Sequence, residues 1–163
     1  MRAALLSLAL LTPLPALAQC PGEVLFSCPI KAKTLEVCLT GGTAIYSFGP
    51  KGAPDLTITT PVADLAYQPW PGIGRTIWDS VRFHNDGVDY EVWAALDKMM
   101  EEGQPEPDWQ GGVTVTRGDE ILAELACTAP PDPPWLDQLF AAKEAAGQCW
   151  NFDSQSWQTA PCP

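Results

Sequence analysis

The chain has 163 residues, with 20 acidic residues against 9 basic ones and a formal net charge of −11. So acidic a surface repels nucleic acid and anionic lipid, which excludes both as partners. Six cysteines, one histidine and no Cys-x-x-Cys exclude zinc held through sulfur and point to disulfides instead.

Residues 1–18, MRAALLSLALLTPLPALA, have one positive charge at Arg2, a short apolar run and the triplet Ala16-Leu17-Ala18. That is the three-part pattern of a secretory signal peptide cleaved after Ala18. The run is too short, and too broken by Pro13 and Pro15, for a membrane span. Cys20 lies where a lipoprotein carries its lipid, but a lipobox has a small residue just before the cysteine and Gln19 stands there. The expectation is a soluble periplasmic or secreted chain from residue 19 onward, without a membrane anchor. Losing Arg2 leaves 8 basic residues against 20 acidic, a net charge of −12. Outside the cytoplasm, an even number of cysteines implies disulfides, and six permit 15 pairings.

Apolar runs of strand length alternate with Gly, Pro and Asp clusters, which predicts strands at 23–28, 34–39, 43–48, 55–60, 75–83, 88–96, 112–117 and 120–127. The first two form a hairpin centred near Lys33, which sets Cys28 opposite Cys38 at a separation a bridge can span. Cys149 and Cys162 form a local clip in the tail. Cys20–Cys127 follows by elimination.

The stretch GIGRTIWDSVRFHNDGVDYEVW, from Gly72 to Trp93, opens like a phosphate loop. A phosphate loop needs a strand before it and a helix after it. Here a Pro-rich loop precedes and a strand pattern follows, so the phosphate reading fails. A hairpin around the four-residue turn His84–Gly87 sets Phe83 opposite Val88, Arg82 opposite Asp89, Ser80 opposite Glu91 and Trp78 opposite Trp93. Val81 then faces Tyr90 and Ile77 faces Ala94. Asp79 falls on the apolar side with Val81 and Phe83, where a carboxylate needs a partner. Two readings stand: Asp79 pairs with Arg75 or caps loop amides, or a β-bulge turns it to solvent.

Residues 97–111 form an acidic, Pro-containing loop. Trp70 and Trp109 lie in loops, where core packing explains them poorly, and exposed loop aromatics mark binding surfaces. With Arg75, Asp79, Met99 and Met100 they make up the candidate binding residues. No catalytic residue and no cofactor is expected. His84 lies in the turn without an orienting neighbour for nucleophilic catalysis. Asp86-Gly87-Val88-Asp89 lacks the spacing of a calcium loop. Arg117-Gly118-Asp119 is a hairpin turn rather than an adhesive tripeptide. Residues 128–134, TAPPDPP, form a stiff linker between the β-domain 19–127 and a tail 135–163 packed on the same domain. Asp132 caps a helix opened by Pro133 or Pro134 and ended at Gly147, with Trp135, Leu139, Ala142 and Ala146 on its apolar face.

The motifs FSC…VC, YSFGPKGAPDL, YQPWPGIGR and GGVTVTRGDEILAELAC, in that order over roughly residues 24–127, resemble a family of small exported proteobacterial proteins without assigned activity. The resemblance implies an envelope β-domain and carries over no catalytic residue. The expected fold is all-β: a disulfide-stabilised antiparallel β-sandwich or barrel with one C-terminal α-helix. The expected function is a non-enzymatic binding module, of protein-binding or hydrolase-inhibitor type, using an acidic, Trp-bearing loop surface toward a basic protein or a carbohydrate. The alternative is a carboxylate-dependent hydrolase acting on envelope polysaccharide, marked by two acids facing across a cleft.

Overall fold

The computed structural model describes residues 20–99, 103, 107–159 and 161. The expected signal peptide, Met100 and Cys162 lie outside the described residues.

Strands β1 (Glu23–Ile30), β2 (Lys33–Thr40), β3 (Thr43–Gly49) and β4 (Leu56–Pro61) form one antiparallel meander. A 3-10 turn at Val62–Asp64 leads into the second, built from β5 (Ala66–Gln68), β6 (Thr76–Asn85), β7 (Val88–Asp97), β8 (Gln110–Arg117) and β9 (Glu120–Ala126). Helix α1 (Gln138–Ala145) and a small hairpin of β10 (Gln148–Asn151) and β11 (Ser156–Thr159) follow. The two sheets are separate rather than closed into a barrel, so the fold is a β-sandwich with one C-terminal helix. All eight strands expected from periodicity are present within a few residues of their bounds. The short β5, β10 and β11 had no apolar run to announce them.

Strand alternation delivers the core. Phe26, Leu35, Val37, Tyr46 and Ile58 of one sheet are buried with Val81, Phe83, Val92 and Val113 of the other. Tyr46 spans the layers, 5.6 Å from Phe83 and 5.4 Å from Tyr90 between ring centroids. At Gly111 a Cβ would come within 2.8 Å of the Phe26 ring, so the bare backbone there lets that ring approach β8 closely.

Both expected hairpin registers need correction, for the same reason. The β1–β2 turn is the pair Lys31-Ala32, with Lys31 at φ +57°, so Cys28 stands opposite Leu35. A bulge between Val24 and Phe26 sets Cys38 opposite Val24. Cys38 follows Val37 and so points away from the core face that Cys28 shares with Leu35 and Val37. The bonds are therefore Cys20–Cys38 and Cys28–Cys127, not Cys28–Cys38 and Cys20–Cys127. Cys149 is disulfide-bonded, while its expected partner Cys162 lies outside the described residues.

The β6–β7 turn is likewise two residues, Asp86-Gly87, with φ of +50° and +76°. Two-residue turns with both φ positive match the twist of the strands they join. Phe83 therefore faces Tyr90, not Val88, and every pair moves by two. Arg82 meets Glu91 at 2.7 Å, His84 meets Asp89 at 2.8 Å, Val81 meets Val92, Ile77 meets Leu96, Ser80 meets Trp93 and Trp78 meets Ala95. A shift of two keeps every side chain on its face, so Asp79 stays inward. Gly118-Asp119 makes the β8–β9 turn as expected.

The helix begins later than expected. Asp132 and Pro133 each precede a proline, which disfavours helical backbone, and residues 132–135 lie extended along the edge of β1 instead. Asp132 N donates to Ser27 O at 2.8 Å, Ser27 N to Pro133 O at 3.2 Å and Trp135 N to Leu25 O at 2.6 Å. This segment covers a strand edge that would otherwise be open to pairing.

Trp135 thus precedes α1, as does the buried Leu136, and the inward face of the helix is Leu139 and Lys143 rather than Trp135, Leu139, Ala142 and Ala146. Lys143 Nζ donates to Val62 O at 3.0 Å and Leu65 O at 2.7 Å, tying α1 to the 3-10 turn. Burial lowers its pKa, and the charge of Asp64 acts in the opposite direction. Lys143→Met keeps the apolar stem but removes both charge-assisted hydrogen bonds. Each carbonyl keeps a backbone donor, so the expected loss of stability is modest, about 1–2 kcal/mol, read as a lower urea midpoint.

Candidate functional site

Five chain segments meet at one end of the sandwich and enclose a cavity of about 550 Å³. β5 supplies Tyr67, and the loop after it supplies Pro69 and Trp70. The start of β6 supplies Ile77, Trp78 and Asp79, and the approach to β8 supplies Trp109. Pro134, Trp135 and Asp137 come from the segment that reaches α1, Phe140 from its first turn, and Phe152 from the β10–β11 turn. The walls are seven aromatic rings, and the only charged lining groups among the described residues are two carboxylates, Asp79 and Asp137.

Local contacts hold the walls in place. Trp70 Nε1 donates to Ile73 O at 3.1 Å, and Lys98 lies 4.1 Å over the Trp70 ring with Nζ donating to Gly74 O at 3.2 Å. These contacts fold the Pro69–Arg75 loop onto the end of β7. On the other side Trp157 Nε1 donates to Tyr67 O at 2.7 Å, and the Trp157 ring packs on Phe140 at 5.0 Å and Trp150 at 5.4 Å. Trp157 thereby joins the C-terminal hairpin and helix to β5.

Asp79 is 8% exposed. Its Oδ2 accepts the Tyr67 hydroxyl at 3.3 Å, while Oδ1 is buried with no hydrogen-bond partner among the described residues. Burial raises its pKa to about 7, with the negative charge of Asp137 adding to the rise and the Tyr67 bond opposing it. Burial also raises the Tyr67 pKa, with the charges of Asp79 and Asp137 acting in the same direction. Neither expected arrangement of Asp79 is present: Arg75 is exposed on the loop instead of paired with it, and no bulge turns Asp79 outward.

Of the expected binding residues, the fold brings Trp70, Asp79 and Trp109 together in the cavity. Arg75 and Met99 are exposed and are not among its lining residues. Met100 lies outside the described residues. Sequence reasoning missed Tyr67, Trp78, Trp135, Asp137, Phe140 and Phe152. Trp135 falls on the expected apolar face of the helix, and Phe140 and Asp137 carry no local signal.

A second, larger groove of about 840 Å³ crosses the outer face of β1–β3, between the 49–54 loop and Pro130–Pro133. It has no buried side-chain polar atom without a partner among the described residues. No group of three or more His, Cys, Asp and Glu suited to a metal occurs among the described residues, and none of their helices is long and apolar enough to cross a membrane.

An aromatic wall attracts cations through the negative faces of its rings, and a buried acceptor without a partner calls for a donor. A ligand carrying N–H groups on a positive charge meets both demands. No protein-family model, curated protein or solved structure matches the chain.

Proposed function

We propose that the protein is an exported, non-enzymatic binding module whose aromatic cleft holds an organic cation bearing N–H donors. The carrying observation is Asp79 Oδ1, buried and without a partner in a cavity walled by aromatic rings. The signal-peptide pattern of residues 1–18 supports export, and the disulfides suit an oxidising compartment. The bond from Cys20 to Cys38 occupies the thiol that a lipid anchor would use, which supports a chain without such an anchor.

The free acceptor also sets specificity. Ammonium and guanidinium groups donate to Oδ1, whereas a quaternary ammonium satisfies the rings alone. Tryptophan fluorescence is expected to titrate with arginine amide and cadaverine, and about tenfold more weakly with tetramethylammonium, since a charge-assisted hydrogen bond contributes about 1.5–3 kcal/mol. Asp79→Asn is expected to abolish that preference. Equal responses to all three cations, or saturation by a neutral sugar alone, would refute the cation site.

A second reading has an observation of its own. A carboxyl held near 7 beside another carboxylate is the arrangement of a general acid in polysaccharide hydrolysis. Release of reducing ends from envelope polysaccharide by the native protein, and not by Asp79→Asn, would establish that reading in place of the binding module.

A further inference from the structure

Six large apolar side chains are exposed among the described residues, and four of them line the cleft or adjoin residues that hold its Trp70 wall. Trp135, 47% exposed, and Phe152, 63% exposed, line the cavity itself. Ile73, 76% exposed, holds Trp70 through its carbonyl, and Met99, 57% exposed, follows the lysine that lies over the same Trp70 ring. Single exposed apolar residues are ordinary, but their collection around a cavity marks a docking surface. Neither Ile73 nor Met99 lines the cavity, so a small cation contained within it leaves both in water. Covering them takes a ligand larger than the cleft. A bilayer is a poor candidate, because the chain is strongly acidic and two carboxylates lie inside the cleft.

We propose that the cleft is the anchor pocket of a protein-docking surface, in which a basic polypeptide inserts one Lys or Arg side chain toward Asp79 and covers Ile73, Met99, Trp135 and Phe152 with apolar neighbours. The inference rests on the cation-site reading of the cleft. A lysine or arginine suits the geometry because its aliphatic stem lies against rings while its head reaches the buried acceptor. The arrangement has the anatomy of an interface hot spot: a desolvated anchor at the centre and an apolar margin that excludes water. The negative charge of the chain steers a basic partner toward it.

The test is selection of a random twelve-residue peptide library on the immobilised protein. Enriched peptides are then titrated against the native chain, Asp79→Asn and the double variant Ile73→Ser/Met99→Ser, with arginine amide titrated in parallel. The enriched sequences are expected to share a Lys or Arg beside an apolar residue. Norleucine at that position is expected to weaken binding about tenfold, as is the double variant, whose affinity for arginine amide stays unchanged. Enriched peptides without a basic residue, or a double variant that binds them as well as the native chain does, overturn docking even where arginine amide binds. Binding to phosphatidylcholine vesicles that the double variant loses overturns it in favour of a membrane surface. If arginine amide itself fails to bind, the cation-site reading falls, and docking falls with it.

Discussion

Replacing Cys28 and Cys127 together with alanine is expected to lower the unfolding free energy by about 5 kcal/mol, against about 3 kcal/mol for the Cys20/Cys38 pair. The difference comes from loop length. Cys28 and Cys127 are 99 residues apart and Cys20 and Cys38 only 18, so the first bond removes more freedom from the unfolded chain. The first bond also joins β1 of one sheet to the chain just beyond β9 of the other, and strands β2 to β9 all lie inside the loop it closes. Without it, the edge of β1 is held only by the 128–135 segment, through bonds such as Thr128 N to Pro29 O at 2.8 Å. Guanidinium unfolding of the two double variants measures both losses. Equal losses, or the reverse order, would show that loop closure is not what the Cys28–Cys127 bond contributes.

Asp79→Asn is expected to stabilise the protein at pH 8 and to leave it nearly unchanged at pH 4. The folded chain holds the Asp79 proton up to about pH 7, whereas an unfolded aspartate releases it near 3.9. Between those values the folded state binds a proton that the unfolded state has lost, so native stability falls as pH rises and is flat above the window. Asparagine has no such proton and is free of that fall. Its carbonyl still accepts the Tyr67 hydroxyl. The gap between variant and native protein should open through pH 4–7 and reach on the order of 4 kcal/mol, several degrees in Tm. A gap independent of pH would show that Asp79 is not buried as a charge. For cation binding the sign reverses, because the ligand needs the ionised carboxylate. Affinity of the native protein should rise from pH 5 to pH 8, and that of Asp79→Asn should not.

The sandwich was legible because its cause is local. Alternating apolar residues between turn signals marked all eight long strands, and a slip of two residues in the β6–β7 register still left Asp79 on the inward face. That register was itself readable, since Asp86-Gly87 is the strongest short hairpin signal. Arg82 meets an acid in either register, Asp89 in one and Glu91 in the other, so charge pairing could not choose between them. The candidate site was legible only in part. Trp70 and Trp109 stood out as loop aromatics and Asp79 as a misplaced carboxylate, but nothing in the order of residues joined them.

By itself, then, the sequence determined the strands, the tight turns, the acidic surface and the disulfide-forming cysteines, because each depends on residues a few positions apart. Tertiary structure alone decided which cysteines bond, that residues 132–135 close the β1 edge, and that Tyr67, Asp79, Trp109, Asp137 and Phe152 share one cavity. Those outcomes depend on how two sheets stack and where a C-terminal segment docks. Stacking brings together side chains as far apart in sequence as Cys28 and Cys127, 99 residues, and such distances leave no mark in local periodicity.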